Sequence, residues 1–201
     1  MGKLSIMSKS IVLDELTLLA DKYGADKSPN IGHAYTPFYY EYLKDKKYSI
    51  KKVLEIGIGN RRQIKYIPGA YIGASIRMWR DFFPNAIIYG ADILHELLFR
   101  DERIETYLCD QRIKQDLENL IGQIGNDIDL FIDDGSHESE DQLFTCLNVM
   151  PMLKRDVIYI IEDVSYPDIV RQLDKYDCQL FGARAWRKGS WDDRLMVVRH
   201  R

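Results

Sequence analysis

Val53-Leu54-Glu55-Ile56-Gly57-Ile58-Gly59 is a short apolar run that stops on glycines. An apolar run of this length without alternation reads as a strand buried on both faces. Downstream the same pattern recurs, with helical stretches between. Ala86-Ile87-Ile88-Tyr89-Gly90-Ala91-Asp92 is a second strand, Ile104 to Asp110 a third, Ile128 to Asp134 a fourth, and Val157 to Asp163 a fifth. Ile76 to Phe83 reads as a helix stopped by Pro84, residues 113–124 as another, and Glu140 to Leu153 as a third with Leu143, Phe144, Leu147 and Met150 on one face. Strands alternating with helices predict an α/β fold: a mostly parallel sheet with helices on both faces. A helix around 167–176 and two strands near 178–184 and 194–199 close the chain. The last two lack a crossover helix between them, which predicts an antiparallel pair at one edge of the sheet.

Upstream of Val53 the pattern is helical. Residues 11–23 place Ile11, Leu16, Leu19 and Tyr23 near one face, with Ser10 as N-cap and Gly24 as stop. A second helix starts at Thr36, with Pro37 in its first turn, and runs through Phe38, Tyr39, Tyr42 and Leu43. Residues 1–50 are thus expected to form a helical lid or cap within a single domain spanning 1–201. Asn60 to Gly73 fits neither element type and reads as a loop insertion.

Composition narrows the class. The 201 residues are 46% hydrophobic and 29% charged, ordinary values for a globular chain and outside the disordered range. With 28 Lys plus Arg against 31 Asp plus Glu, the formal net charge of −3 gives no electrostatic reason to expect nucleic acid. Cys109, Cys146 and Cys178 are odd in number and widely spaced, so a disulfide framework and a zinc ribbon are disfavoured; reduced thiols in a reducing compartment are expected. No signal core, myristoylation motif or membrane-length apolar run occurs, so the expected setting is soluble, cytoplasmic and without membrane contact.

In an open parallel sheet, ligands bind beyond the carboxyl ends of the strands. Here those ends are acidic: Glu55 before the glycines, Asp92, Asp110, Asp133-Asp134 and Glu162-Asp163. A dinucleotide fingerprint would place a third glycine at position 62, which is Arg62. Glu55 would repel a pyrophosphate and attract an ammonium group. Gly57 and Gly59 let a ligand lie against the backbone, Asp92 can accept from both hydroxyls of a ribose, and Asp110 with Gln111 can meet an adenine edge. Ammonium, ribose and adenine together describe S-adenosylmethionine better than a nicotinamide dinucleotide.

Asp134, Glu162 and Asp163 form a second constellation, because strands four and five should be neighbours. Converging carboxylates repel unless neutralised. Three hard oxygen ligands without a thiolate suggest Mg²⁺, with Mn²⁺ or Ca²⁺ as substitutes. His137 follows Asp134 by three residues across Gly135 and is the candidate general base for a hydroxyl.

These blocks resemble a family. Leu54-Glu55-Ile56-Gly57-Ile58-Gly59, Gly73 through Ala86, Ile132-Asp133-Asp134-Gly135-Ser136-His137 and Ile160-Ile161-Glu162-Asp163 are similar to the metal-dependent sugar O-methyltransferases of the mycinamicin and macrocin type, within the class I methyltransferase superfamily. Lys22-Tyr23-Gly24-Ala25-Asp26-Lys27 and His33 through Tyr39 resemble their lead-in. The resemblance covers about residues 20–165. It implies a class I, Rossmann-like methyltransferase fold and S-adenosylmethionine as donor. Asp134, Glu162 and Asp163 would be Mg²⁺ ligands and His137 the base. Glu55, Gly57, Ser75, Asp92, Asp110 and Asp133 would surround the donor. The expected reaction is Mg²⁺-dependent methylation of a hydroxyl on a small-molecule sugar or glycoside. Asn60 to Tyr71 departs from the family's short Gly-rich turn, and a counterpart to the separate N-terminal domain of some macrolide enzymes is not expected; a homo-oligomer stays open. Tyr35, Phe38, Tyr39 and Tyr40 are candidates for stacking on a sugar face or for the core. Two other readings stand beside this one: a non-catalytic S-adenosylmethionine-binding partner subunit, and a nicotinamide-dependent oxidoreductase.

Overall fold

The structure, a computed structural model, describes residues 14–59, 71–166, 168–182 and 194–201. Eight strands form one sheet: β1 (Lys52–Ile56), β2 (Ile87–Asp92), β3 (Arg100–Asp101), β4 (Ile104–Leu108), β5 (Leu130–Asp133), β6 (Ile158–Ile161), β7 (Tyr176–Gly182) and β8 (Arg194–His200). Their order is β3-β4-β2-β1-β5-β6-β8-β7. The five strands from β4 to β6 run parallel, with Val53 opposite both Ile88 and Leu130. β3 is antiparallel to β4, and the terminal pair is antiparallel at the other edge, β8 lying between β6 and β7.

Alternation along each buried strand divides the core in two. Val53, Ile88, Leu130, Ile132, Ile158 and Ile160 face one way, against α1 (Glu15–Tyr23), α2 (Thr36–Leu43) and α3 (Ala74–Phe82). Leu54, Ala91, Phe131, Tyr159 and Ile161 face the other, against α4 (Lys114–Ile124), α5 (Ser139–Val149) and α6 (Ile169–Gln172). Both faces of each central strand are apolar, which is why these runs show no polar alternation.

Several elements differ from their sequence reading. α1 starts at Glu15 on an Asp14 N-cap, whose carboxylate accepts from Thr17 N–H at 2.8 Å; Ser10 and Ile11 lie outside the described residues. Gly24 ends that helix at φ 72°, as expected. α5 stops at Val149, and its buried face is Gln142, Thr145, Cys146 and Val149, while Leu143, Phe144 and Leu147 are only partly covered. α6 keeps four residues because pairing with β8, which reaches back to Tyr176 opposite His200, draws the chain into β7. β3 is too short to leave a pattern. All but three residues of the expected 60–73 insertion fall outside the described residues. The three cysteines are free thiols. Among the described residues, no helix is long and apolar enough to cross a membrane.

Candidate active site

The parallel strands deliver their carboxyl ends to one edge, and a cavity of about 490 Å³ opens there. Its walls come from the loops after β1 (Gly57–Gly59), β2 (Asp92–Leu94), β4 (Cys109–Arg112), β5 (Asp134–His137) and β6 (Glu162, Asp163), from the start of α3 (Gly73–Ser75), and from residues 24–26 and His33. A volume of this size suits a ligand the size of a nucleoside derivative.

Gly57 brings the halves of the site together. Its φ is +85°, and a Cβ there would collide with the backbone of Asp134 and Gly135. The loops after β1 and β5 therefore touch through backbone alone. Gly135 is needed for a similar reason, since a Cβ would run into the Gln111 amide.

Asp92 lies on the cavity wall. Its Oδ2 accepts from Ile58 N–H at 3.0 Å and its Oδ1 from Leu94 N–H at 2.9 Å, which fixes the carboxylate; burial raises its pKa despite those bonds. Asp110 also lines the cavity, with its pKa lowered by a two-pronged pairing with the Arg112 guanidinium at 2.9 and 2.8 Å. Gln111 lines it too, but its amide is committed to the protein: Nε2 donates to Asp133 Oδ1 and Thr145 Oγ1, and Oε1 accepts from Ser136 N–H. Asp133 is buried behind the wall, bonded to Gln111 and Tyr159, and burial lifts its carboxyl to about 7.

Glu55 is also behind the wall. It is fully buried and accepts from the Ser75 hydroxyl and from Trp79 Nε1 at 2.5 Å; burial first, then the nearby Asp134, raise its pKa against the pull of Lys27. Its carboxylate thus anchors α3 to β1, while Ser75 itself lines the cavity.

The second constellation converges, with one rearrangement. Asp134, His137 and Asp163 each offer an atom within 4.8 Å of the others. His137 Nε2 stands 3.3 Å from Asp163 Oδ2 and 3.9 Å from Asp134 Oδ1, on a side chain that is 55% exposed. Asp163 holds a backbone φ of +54°, a strained geometry for a non-glycine residue that aims its carboxylate at His137. Its pKa is raised to about 6, by burial and then by Asp134. Two hard carboxylate oxygens beside an imidazole suit a divalent cation that completes its shell with water or ligand oxygens. Glu162 stands apart from that trio: its Oε1 accepts from the Tyr39 hydroxyl and its Oε2 from Lys27 Nζ.

Residue chemistry singles out neither Lys27 nor His33, and it offers Tyr35 and Tyr39 only for sugar stacking or the core. Lys27 is 1% exposed and donates to Asp134 Oδ2 and Glu162 Oε2, both at 2.6 Å. Burial works against its charge, but Asp134, Glu162 and Glu55 outweigh it and hold it protonated. The Tyr35 hydroxyl donates to Asp163 Oδ1 at 2.5 Å, and the His33 ring stacks on Tyr35 at 4.9 Å. Tyr35 and Tyr39 are therefore core residues whose hydroxyls position carboxylates; neither presents a face to the cavity. For Lys27 and His33 the resemblance of the lead-in block is the one sequence signal.

No protein-family model matches the chain. Curated sequences do. A stretch of 146 residues, 73% of this chain, is 34% identical to the 8-demethyl-8-alpha-L-rhamnosyl tetracenomycin-C 2'-O-methyltransferase of Streptomyces olivaceus, covering 36% of that protein. A stretch of 167 residues, 82% of the chain, is 31% identical to the mycinamicin VI 2''-O-methyltransferase of Micromonospora griseorubida, covering 40% of it. The chain is a homologue of sugar O-methyltransferases. The chain spans about half the length of these two relatives. Among solved structures, the MycE methyltransferase of the mycinamycin biosynthetic pathway, in complex with Mg, SAH and mycinamycin VI, superposes with a TM-score of 0.69 at 25% identity over 94% of this chain and 55% of that one. The fold of this homologue is that of the class I S-adenosylmethionine-dependent methyltransferases.

Proposed function

We propose that this homologue transfers the methyl group of S-adenosylmethionine to a hydroxyl of a sugar or glycoside, with a divalent cation, Mg²⁺ first, at Asp134 and Asp163. The observation that carries the proposal is the meeting of Asp134 Oδ1, Asp163 Oδ2 and His137 Nε2 beside a glycine-walled cavity whose far wall carries Asp92. It gains weight from relatives named for sugar O-methylation and from a neighbour whose complex holds Mg and SAH.

The donor would lie along Gly57–Gly59, its ribose toward Asp92 and its adenine toward Asp110 and the backbone of Gln111. The start of α3, with Ser75, would face its amino-acid end. A bound divalent cation would supply positive charge that lowers the pKa of a coordinated hydroxyl. His137 Nε2 is the atom placed to take the hydroxyl proton as the oxygen–methyl bond forms and the carbon–sulfur bond breaks. Placing both reactants in one cavity supplies the orientation that in-line transfer requires. Residues 14–50 act as a cap within one methyltransferase domain, reaching the site through Lys27, His33, Tyr35 and Tyr39. Neither the partner-subunit reading nor the oxidoreductase reading gains an observation.

The test is thermal melting with S-adenosylmethionine, followed by methyl transfer from labelled donor to a panel of glycosides in Mg²⁺ and in EDTA. Donor at about 100 times its Kd should stabilise by roughly 2.7 kcal/mol, a rise of about 5–10 °C in Tm. Transfer should stop in EDTA and return with Mg²⁺. Stabilisation by NADH in place of S-adenosylmethionine would overturn the donor, and EDTA-resistant transfer would overturn the metal.

A further inference from the structure

Gln111 lies in the loop after β4, on the cavity wall beside Asp110, yet it is only 6% exposed. Its amide reaches inward to three partners. Oε1 accepts from Ser136 N–H at 2.6 Å, and Nε2 donates to Asp133 Oδ1 at 3.1 Å and to Thr145 Oγ1 at 2.9 Å. These partners allow the amide one orientation. Thr145 Oγ1 gives its own proton to the Asp141 carbonyl at 2.9 Å, so it can only accept from Gln111, and Ser136 N–H can only donate. The fit at the oxygen is tight, since a Cβ on Gly135 would lie 2.0 Å from Gln111 Oε1. Ser136 passes the restraint on. Its hydroxyl donates to Asp141 Oδ2 at 2.7 Å and accepts from Glu138 N–H at 3.3 Å. His137 stands between these two anchored residues.

We propose that Gln111 is a positioning residue: it ties the loop under the donor's adenine to the turn that carries His137, so that a seated donor steadies the turn of the base. An amide bonded through both N–H groups and its oxygen, away from water, is a stiff link, because breaking any one bond strands a buried polar group. Donor contacts on Asp110 and on the Gln111 backbone would restrict the main chain from which this side chain springs. The restriction reaches Ser136 through a single hydrogen bond, and ordering one loop lowers the cost of ordering the other. Other side chains do not replace the link. Asn is one methylene short, Glu keeps the acceptor but lacks the N–H groups, and an apolar chain lacks both.

The inference rests on the donor placement proposed above, and the experiment keeps the two apart. S-adenosylhomocysteine is the probe. Its Kd is measured by calorimetry, and exchange of the Ser136 amide hydrogen is followed by nuclear magnetic resonance with and without it, in wild type, Gln111→Met and Gln111→Glu. In the wild type the probe should slow Ser136 exchange about tenfold or more. Gln111→Met removes the acceptor, so exchange should be about tenfold faster without the probe and should not slow when it binds, with Kd kept within about tenfold. Gln111→Glu keeps an oxygen for Ser136 but sets a second carboxyl against Asp133. Its Tm should fall further than that of Gln111→Met, while slowing by the probe persists. A role in stability alone would make the loss of slowing follow the loss in Tm, and that order would overturn the inference. Unslowed Ser136 exchange in probe-bound wild type would overturn it too, as would equal slowing in Gln111→Met. Should one variant not fold, the other decides against the wild type: Gln111→Met must lose the slowing and Gln111→Glu must keep it. Failure of the wild type to bind S-adenosylhomocysteine would overturn the donor placement itself, and the inference with it.

Discussion

At the amino ends of the parallel strands, Lys52 pairs with Asp127 and Lys154 with Asp129, and the second Asp129 oxygen accepts from the N–H groups of Lys51 and Lys52 at 2.5 and 2.9 Å. Asp127 and Asp129 each have a lysine partner there, at or near solvent. At the carboxyl ends, Glu55, Asp134 and Glu162 share Lys27, while Asp163 has a phenol and two nearby histidines. The lower edge spends its acids locking β1 to β5; the upper edge keeps oxygens in surplus and accepts burial and backbone strain to do so. A sheet edge built for stability satisfies its charges locally. One built for chemistry leaves them for something that arrives later.

Substitutions at the two edges should separate activity from stability. His137→Ala should reduce kcat by about 10²–10⁴, with donor Kd within a few-fold and Tm little changed, since the ring is largely exposed. Steady-state kinetics and a donor titration check this, and retention of full activity would remove His137 from the mechanism. Gly57→Ala should break the contrast, because that residue, at the carboxyl edge, serves both packing and the site. The left-handed backbone and the collision with Asp134 should cost about 2–5 kcal/mol and weaken the donor site as well, visible as a lower Tm and a lost donor shift. Asp129→Ala should do the reverse of His137→Ala: a loss of about 1–3 kcal/mol in denaturant unfolding, with kcat of the folded enzyme unchanged.

The smallest effect sharpens the comparison through pH. Asp127 has its pKa lowered by the Lys52 hydrogen bond, so its stabilising contribution is present above about pH 4 and fades as pH falls. Asp133 is raised to about 7 by burial, so its contribution is fully present below about pH 4 and is lost as pH rises through 7. Lys52→Met should therefore lower Tm more at pH 7 than at pH 2.5, where only its bond to the Ile124 carbonyl is lost. Asp133→Asn should raise Tm relative to wild type at pH 8 and lose that advantage at pH 4. The opposite pattern in either melting series would mean that these two carboxylates do not carry the charge states assigned to them.

The five parallel strands, their acidic ends and the antiparallel closing pair were all legible, because a strand buried on both faces writes itself as an unbroken apolar run; their spatial order was not, apart from β5 beside β6. Asp92, Asp134, His137 and Asp163 were legible for a related reason: they sit where such runs stop. The orientation of Glu55, Gln111 and Glu162 was not. Position at a strand end tells where a side chain starts, but whether it faces ligand or core depends on partners far away in sequence, here Trp79, Asp133 and Lys27. Lys27 itself had no local signal. A lysine after a helix stop ordinarily reads as a solvated end, and only the three carboxylates brought over by β1, β5 and β6 make its burial favourable.

The reach from Lys27 to Glu162 has a consequence for how the protein is made. During synthesis the ammonium emerges first, and its Glu162 partner follows 135 residues later. At 5–20 residues per second that is a delay of roughly 7–27 s. Until then Lys27 lacks that partner, so the cap, made before the sheet it packs on, cannot complete its contacts until β6 has been made.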